Sequence, residues 1–187
     1  AALIGCAVTT GVGSALNTVQ ISKDDTVAVL GAGGVGLSTI MGVAYAGASQ
    51  IIAIDIVPEK EIIARNVGAT DFLLSSQDTI KQIKSITNNR GVDYAFEAVG
   101  IPKLQELAFE IVRPGGTLVL SGITPMGSET NFSGAVLTRQ EKTVKGSYYG
   151  TSDTSRDFRN YANLFLAGEL PIDKMISRSY DLDQVNE

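Results

Sequence analysis

Three glycines, one carboxylate and one thiol are the groups in this sequence whose types and spacing suggest chemistry. The glycines are Gly31, Gly33 and Gly36, set in Val27-Ala28-Val29-Leu30-Gly31-Ala32-Gly33-Gly34-Val35-Gly36. An apolar strand that runs through this spacing into a helix is the fingerprint of a turn holding the pyrophosphate of a dinucleotide. Gly31 permits the tight turn, Gly33 lets the pyrophosphate approach the backbone, and Gly36 lets the helix pack closely on the strand. Gly34 and Val35 open that helix, whose free N–H groups and positive dipole end face the phosphates. The same run also occurs as a plain structural turn, and alone it does not separate the two readings.

Asp55 favours the first. The apolar run Gln50-Ile51-Ile52-Ala53-Ile54-Asp55 ends in a carboxylate about 20 residues past the glycine turn. A carboxylate there can accept both hydroxyls of an adenosine ribose and repels the extra phosphate of NADP, so the pattern points to NAD. Its plainer role is to cap a strand end. Cys6 is the only cysteine. It excludes an internal disulfide and suits a reducing, cytoplasmic setting. By default a lone cysteine is a small buried hydrophobe. The chain has no histidine, which removes the commonest general base and metal ligand.

The elements that must position these groups alternate. An entering helix is predicted over residues 6–18. Strand 27–30, helix 34–47 and strand 50–55 follow. Pro58 opens a helix that Gly68 stops. A strand over 69–74 and a helix over 79–88, capped by Asp78, come next. A strand over 93–100 leads to a helix from Pro102 to Val112, which Arg113-Pro114-Gly115-Gly116 closes. Strand 117–120, a Gly/Ser/Thr/Pro-rich loop, a helical turn at 136–140 and a strand near 143–147 complete the series. This predicts an α/β fold: a doubly wound, six-stranded parallel sheet of Rossmann type with a short C-terminal appendage. Ligands of such sheets lie at the carboxyl ends of the strands. That places the glycine turn, Asp55, Val99-Gly100 and Ser121-Gly122-Ile123 along one edge. Beyond it, Ser155 or Thr154 is expected to cap a helix over 156–167. A short strand within 171–180 and a helix starting at Asp181 follow. Residues 1–150 therefore read as a dinucleotide-binding domain with its entering helix. Residues 151–187 read as a return segment of a catalytic domain that is otherwise missing.

Composition narrows the classes. At 187 residues and 44% hydrophobic content, the chain supports one good core. A net charge of -5 without a basic cluster argues against nucleic acid and anionic membrane as partners. No apolar run approaches the ~20 residues of a membrane span. The start, Ala1-Ala2-Leu3-Ile4-Gly5, lacks the pattern of a signal peptide and reads as the middle of a longer protein.

Several motifs together resemble a known family. They are Leu3 to Ala15 with Gly5-Cys6-Ala7-Val8-Thr9-Thr10-Gly11, then Val29 to Ser38, Ile54-Asp55 with Lys60, and Val67-Gly68-Ala69-Thr70. Phe96-Glu97-Ala98-Val99-Gly100, Lys145-Gly146-Ser147-Tyr148-Tyr149-Gly150 and Leu182 to Glu187 continue the match. In this order and spacing the chain resembles the cofactor domain of zinc-dependent medium-chain alcohol dehydrogenases, closest to the glutathione- or mycothiol-linked formaldehyde dehydrogenase branch. The resemblance implies that Cys6 is one ligand of a catalytic zinc whose other ligands lie outside this chain. It implies that Lys60 sits by the adenosine ribose, and Thr10 and Val35 near the nicotinamide. Ser121, Ile123, Ser147 and Tyr149 approach the carboxamide, mostly through backbone atoms. It further implies a homo-oligomer paired through a sheet edge within Thr117 to Leu137, and an alcohol or aldehyde as substrate. The plain alternatives are a solvated Lys60, packing roles for Thr10 and Val35, and an ordinary aromatic pair at Tyr148-Tyr149. Two other functions fit the same residues: a zinc-independent quinone or enoyl reductase, and a non-catalytic NAD-sensing module. The fragment alone is expected to be inactive.

Overall fold

A computed structural model describes residues 2–184. Six strands form one parallel sheet in the order β3-β2-β1-β4-β5-β6. They are β1 (Thr26–Leu30), β2 (Gln50–Asp55), β3 (Asp71–Leu74), β4 (Val92–Glu97), β5 (Val112–Leu120) and β6 (Thr143–Gly146). The helices are α1 (Ala7–Gly13), α2 (Gly34–Ala46), α3 (Lys60–Asn66), α4 (Thr79–Ile86), α5 (Pro102–Ile111), α6 (Gly134–Arg139) and α7 (Thr154–Leu166). The strand order reverses between β1 and β4, as the doubly wound expectation requires.

Alternation along the strands explains the two layers. Val27, Val29, Ile51, Ala53, Phe96 and Val119 face one side, where they pack with residues of α1, α2 and α7. Ala28, Leu30, Ile52, Ile54, Ala95 and Leu118 face the other, against α4 and α5. Strands covered on both faces need apolar runs, and Val27 to Leu30, Ile51 to Ile54 and Leu118 to Leu120 supply them. The C-terminal stretch joins the first layer: Tyr161, Leu170 and Ile172 are buried in it. Register aligns the strand ends. Leu30 pairs with Ile54 and Glu97, Glu97 with Leu120, and Leu120 with Gly146. The residues that follow those positions therefore emerge in one row.

Several local expectations change. Arg113 to Gly116 do not end α5 but lie within β5, where the pairing with β4 shifts register between Val92 and Tyr94. The N-cap of α7 is Asp153, which accepts from the Ser155 N–H at 3.1 Å, rather than Ser155 or Thr154. Asp78 makes no capping bond and instead pairs with Lys81 at 2.9 Å. Residues 171–180 hold a 3-10 turn, Ile172–Met175, instead of a strand. The expected helix from Asp181 is a 3-10 turn at Leu182–Gln184, and its last three residues lie outside the described residues. The expected sheet edge is also corrected. Thr117 to Leu120 is interior, because Thr143 to Gly146 pair along it, so the edges are β3 and β6. No helix among the described residues is long and apolar enough to cross a membrane.

At the amino end of the sheet, Asp93 is 2% exposed. It accepts from the Thr26 N–H at 2.9 Å, from Arg90 at 2.6 and 3.0 Å and from Arg113 at 2.6 Å. Burial pushes its carboxyl up, but the Thr26 amide and the two guanidiniums outweigh that and hold it below the usual value. A carboxylate held low adds stability above its unfolded value of about 3.9 and loses it as pH falls through the folded value. Asp93→Asn, which turns an N–H2 group toward an arginine, is expected to lose about 2–3 kcal/mol at neutral pH. Denaturant titrations should show that deficit unchanged from about pH 5 to 8 and shrinking below about pH 4.

Candidate functional site

The glycine turn meets the three demands placed on it. Gly31 has φ of +97°, and its N–H donates to the Ile54 carbonyl at 2.8 Å. A Cβ on Gly36 would lie 1.7 Å from the Gly31 carbonyl oxygen, so α2 approaches β1 as only glycine allows. A Cβ on Gly33 would meet nothing within 4 Å. Gly33 therefore faces open space in front of the first turn of α2, whose leading N–H groups have no partner within the helix.

Asp55 is bound into this turn. One carboxylate oxygen accepts from the Ala32 N–H at 2.6 Å, the other from the Val57 N–H at 3.0 Å. Each oxygen retains a lone pair for a further donor. Gly31, Gly33 and Asp55 line a cleft of about 680 Å³ whose walls include Ile56, Val99 and Ile101. Ile56 and Ile101 are 77% and 51% exposed, an apolar lining open to solvent. Lys60 begins α3 but is not among the residues lining this cleft, and no ion pair among the described residues joins it to Asp55.

The other half of the row lies over β4, β5 and β6. Gly31 abuts Val99, since a Cβ on Gly31 would be 2.4 Å from Val99 Cγ2. Gly100 lies flush against the Ile123 backbone, where a Cβ would be 2.3 Å from the carbonyl oxygen. Ser121 meets Ser14 Oγ at 2.8 Å, and Ser147 meets it at 2.9 Å. Ser14 also donates to the Thr10 carbonyl at 2.6 Å. The structure thus brings Thr10, Val99, Gly100, Ser121, Ile123 and Ser147 to one edge. Val35 lies in the first turn of α2 at the same edge.

Tyr148 and Tyr149 are not a strand pair, because β6 ends at Gly146. Tyr148 is 82% exposed. Tyr149 is in a 3-10 turn, and its hydroxyl donates to the Gly5 carbonyl. Cys6, the next residue, stands at the N-cap of α1 and is exposed, so the default of a buried cysteine does not apply. Gly34 lies close by, with its would-be Cβ 3.3 Å from Ala7 Cβ. Cys6 therefore stands at the end of the sheet that carries the glycine turn. A tetrahedral zinc needs three protein ligands beside an open position. Among the described residues no group of three His, Cys, Asp or Glu side chains could hold a metal.

Glu97 is a site residue that the sequence did not single out. It is fully buried. Its Oε1 accepts from the Val99 and Gly100 N–H groups at 2.8 and 2.7 Å, and its Oε2 accepts from Gln105 at 3.2 Å. It fixes the turn after β4. The available signal was a carboxylate directly after the apolar run Tyr94-Ala95-Phe96.

The family model of zinc-binding dehydrogenases matches residues 34–167. The chain belongs to that family. It is 34% identical over 190 residues to an NDMA-dependent alcohol dehydrogenase of Amycolatopsis methanolica, covering 100% of this chain and 51% of that protein. Its fold superimposes on benzyl alcohol dehydrogenase of Acinetobacter calcoaceticus with a TM-score of 0.92 at 30% identity, over 98% of this chain and 50% of the other. A zinc-binding dehydrogenase structure from Sinorhizobium meliloti, bound to NADP, matches with a TM-score of 0.86 at 28% identity, over 97% and 53%. The chain spans about half the length of the relatives it matches.

Gly33 and Gly36 provide a paired test of this turn. Gly36→Ala is expected to destabilise by about 3 kcal/mol or more, because backbone cannot yield at 1.7 Å. Gly33→Ala should leave stability within roughly 0.5 kcal/mol. Thermal unfolding of the two variants measures the contrast.

Proposed function

We propose that the chain is the NAD-binding domain of a zinc-dependent alcohol or aldehyde oxidoreductase, and that hydride passes between the alcohol and NAD in the longer protein. The observation that carries this reading is the open space over Gly33, beside a carboxylate tied into the same turn. A pyrophosphate fits where no Cβ stands, on the first N–H groups of α2. Asp55 takes the ribose hydroxyls on its remaining lone pairs. The adenine lies in the apolar cleft between Ile56 and Ile101. The nicotinamide half extends past the β1/β4 switch toward Ser121, Ile123, Ser147 and Tyr149, with Thr10 and Val35 at its face. Lys60 has a weaker case, since it stands off the cleft.

When bound, zinc supplies a Lewis acid that stabilises an alkoxide. Cys6 is one of its ligands, and the rest come from residues that this chain does not contain. The chain's own part is to bind and orient the cofactor. Its lone cysteine suits a cytoplasmic setting. Pairing of two copies through a sheet edge belongs to the same reading, and the edge open to it on that side is β6.

Calorimetry with NADH and NADPH tests the cofactor. NADH is expected to bind at least about tenfold more tightly, because Asp55 faces the position of the extra phosphate. Asp55→Asn should move the ratio toward parity. A ratio near one in the unaltered protein overturns the assignment. The NADP-bound relative makes this comparison decisive, since fold alone does not set the preference.

The zinc assignment has its own measurement in the longer protein. Cys6→Ala should lower bound zinc and reduce turnover by at least about a hundredfold. Undiminished turnover would favour a zinc-free reductase on the same domain.

A further inference from the structure

We infer that Ser14 is a positioning residue for the nicotinamide half of the cofactor. Its hydroxyl gathers the ends of β5 and β6 onto α1 and holds the turn Tyr149–Thr151 in the shape that half requires. This inference rests on the NAD reading above.

Five hydroxyls form a chain from the end of β5 to the end of β6. Ser121 meets Ser14 at 2.8 Å, Ser14 meets Ser147 at 2.9 Å, Ser147 meets Thr18 at 2.8 Å, and Thr18 meets Thr151 at 2.8 Å. Each hydroxyl has one proton and two lone pairs. Ser14 spends its proton on the Thr10 carbonyl at 2.6 Å. Both Ser121 and Ser147 must then donate to Ser14. Ser147 must in turn accept from Thr18, and Thr18 from Thr151. All five protons are assigned by this count, and Ser14 is the saturated node. Ser14 is fully buried and Ser147 is 4% exposed, so water does not readily replace these bonds.

The backbone that Ser14 helps to hold is one the chain would not choose. Tyr149, Gly150 and Thr151 have φ of 54°, 68° and 50°. The left-handed region is unfavourable for tyrosine and for β-branched threonine, and such residues persist only where their surroundings impose them. The surroundings here are α1 and the π-helical turn that extends it, Ser14–Thr18. A Cβ on Gly150 would lie 2.2 Å from the Thr9 carbonyl oxygen, and Asn17 donates to the Gly150 carbonyl at 3.2 Å. A π turn inside a helix often marks a functional position. This one directs Ser14 and Thr18 to the same partner, Ser147.

A dinucleotide lies across both halves of such a sheet. Asp55 marks the adenosine half over β2, so the other half falls over β4, β5 and β6. There the structure leaves Ile123 76% exposed and Tyr148 82% exposed, on the segments that Ser14 ties together. The hydroxyl chain thus sets the spacing between these two segments without itself occupying the open surface.

Binding of NADH and of ADP-ribose, which lacks nicotinamide, to Ser14→Ala tests the inference. NADH affinity is expected to fall on the order of tenfold, while ADP-ribose affinity stays within about twofold. Hydrogen exchange should quicken at amides 148–151 and stay unchanged at 31–36. A general loss of structure would weaken both ligands alike. A parallel loss, or no loss, therefore overturns the inference while leaving the NAD reading intact. If the unaltered protein binds neither compound, the NAD reading fails and the inference fails with it. Should Ser14→Ala not fold, Thr18→Val removes the proton donated to Ser147 from a less buried position. The same ligand pair should then show a smaller shift in the same direction, and an unchanged ratio overturns the inference.

Discussion

The contact between Gly36 and the Gly31 carbonyl fixes more of this molecule than any other single approach. With 1.7 Å available to a Cβ that is not there, α2 lies directly on the end of β1. That closeness brings the N-terminal turn of α2 out at the crevice rather than behind it. It also sets where α1 must lie, since Ala7 packs on Gly34. α1 in turn carries Cys6 at its start and Ser14 just past its end. The turn after β6 packs on α1 through Gly150, and α7 reaches the same region through Asn17, which donates to Asp157 and Tyr161 at 3.2 and 3.3 Å. Steric exclusion at one backbone position thus propagates through three layers of contact to the far strand.

Glu97 does for the middle of the row what that contact does for its start. Burying an isolated carboxylate is expensive, and no ion pair among the described residues reaches this one. It is satisfied instead by two backbone N–H groups and the Gln105 amide. The Val99-Gly100 turn is therefore held from below by two hydrogen bonds to one side chain, while Val99 stays 46% exposed above it. Gln105 is oriented by Thr130, whose hydroxyl donates to it at 2.7 Å. A long loop thereby supports a turn remote from it in sequence.

What the sequence made legible follows from how local each feature is. The tight turn at Gly31 and the close approach at Gly36 were legible from spacing, because Gly36 meets Gly31 only five residues away. Strands β1 and β2 were legible because double burial demands apolar runs such as Val27 to Leu30 and Ile51 to Ile54. The start of β5 was not, because Pro114 and Gly115 read as a helix stop while pairing with β4 overrode them. Nor was the cap of α7: Asp153, Thr154 and Ser155 all suit that position, and only geometry chooses among them. The sheet edge expected from the resemblance was not the observed one, because the legible sixth strand pairs along Thr117 to Leu120 and itself becomes the edge. Only Val144 of that strand joins the core.

The same distinction divides the site in two. On the proposed reading, the adenosine half rests on the βαβ unit that carries Gly31 and Asp55, with Val99 and Ile101 completing its cleft. On the same reading, the nicotinamide half rests on segments around residues 14, 97, 121 and 147, which meet only when the sheet is complete. The first half can form with the glycine turn, whereas the second needs the sheet and α1 in place before its hydroxyls can pair. A left-handed turn containing tyrosine and threonine costs about 1–3 kcal/mol at each such residue, and the hydroxyl and amide bonds of Ser14, Asn17 and Thr18 are the local groups available to offset it. On the proposed reading, division of this kind lets one half anchor a nucleotide by rigid, short-range geometry. It leaves the reacting half dependent on long-range packing, where small changes in the return segment or in α1 can alter orientation without loosening the anchor.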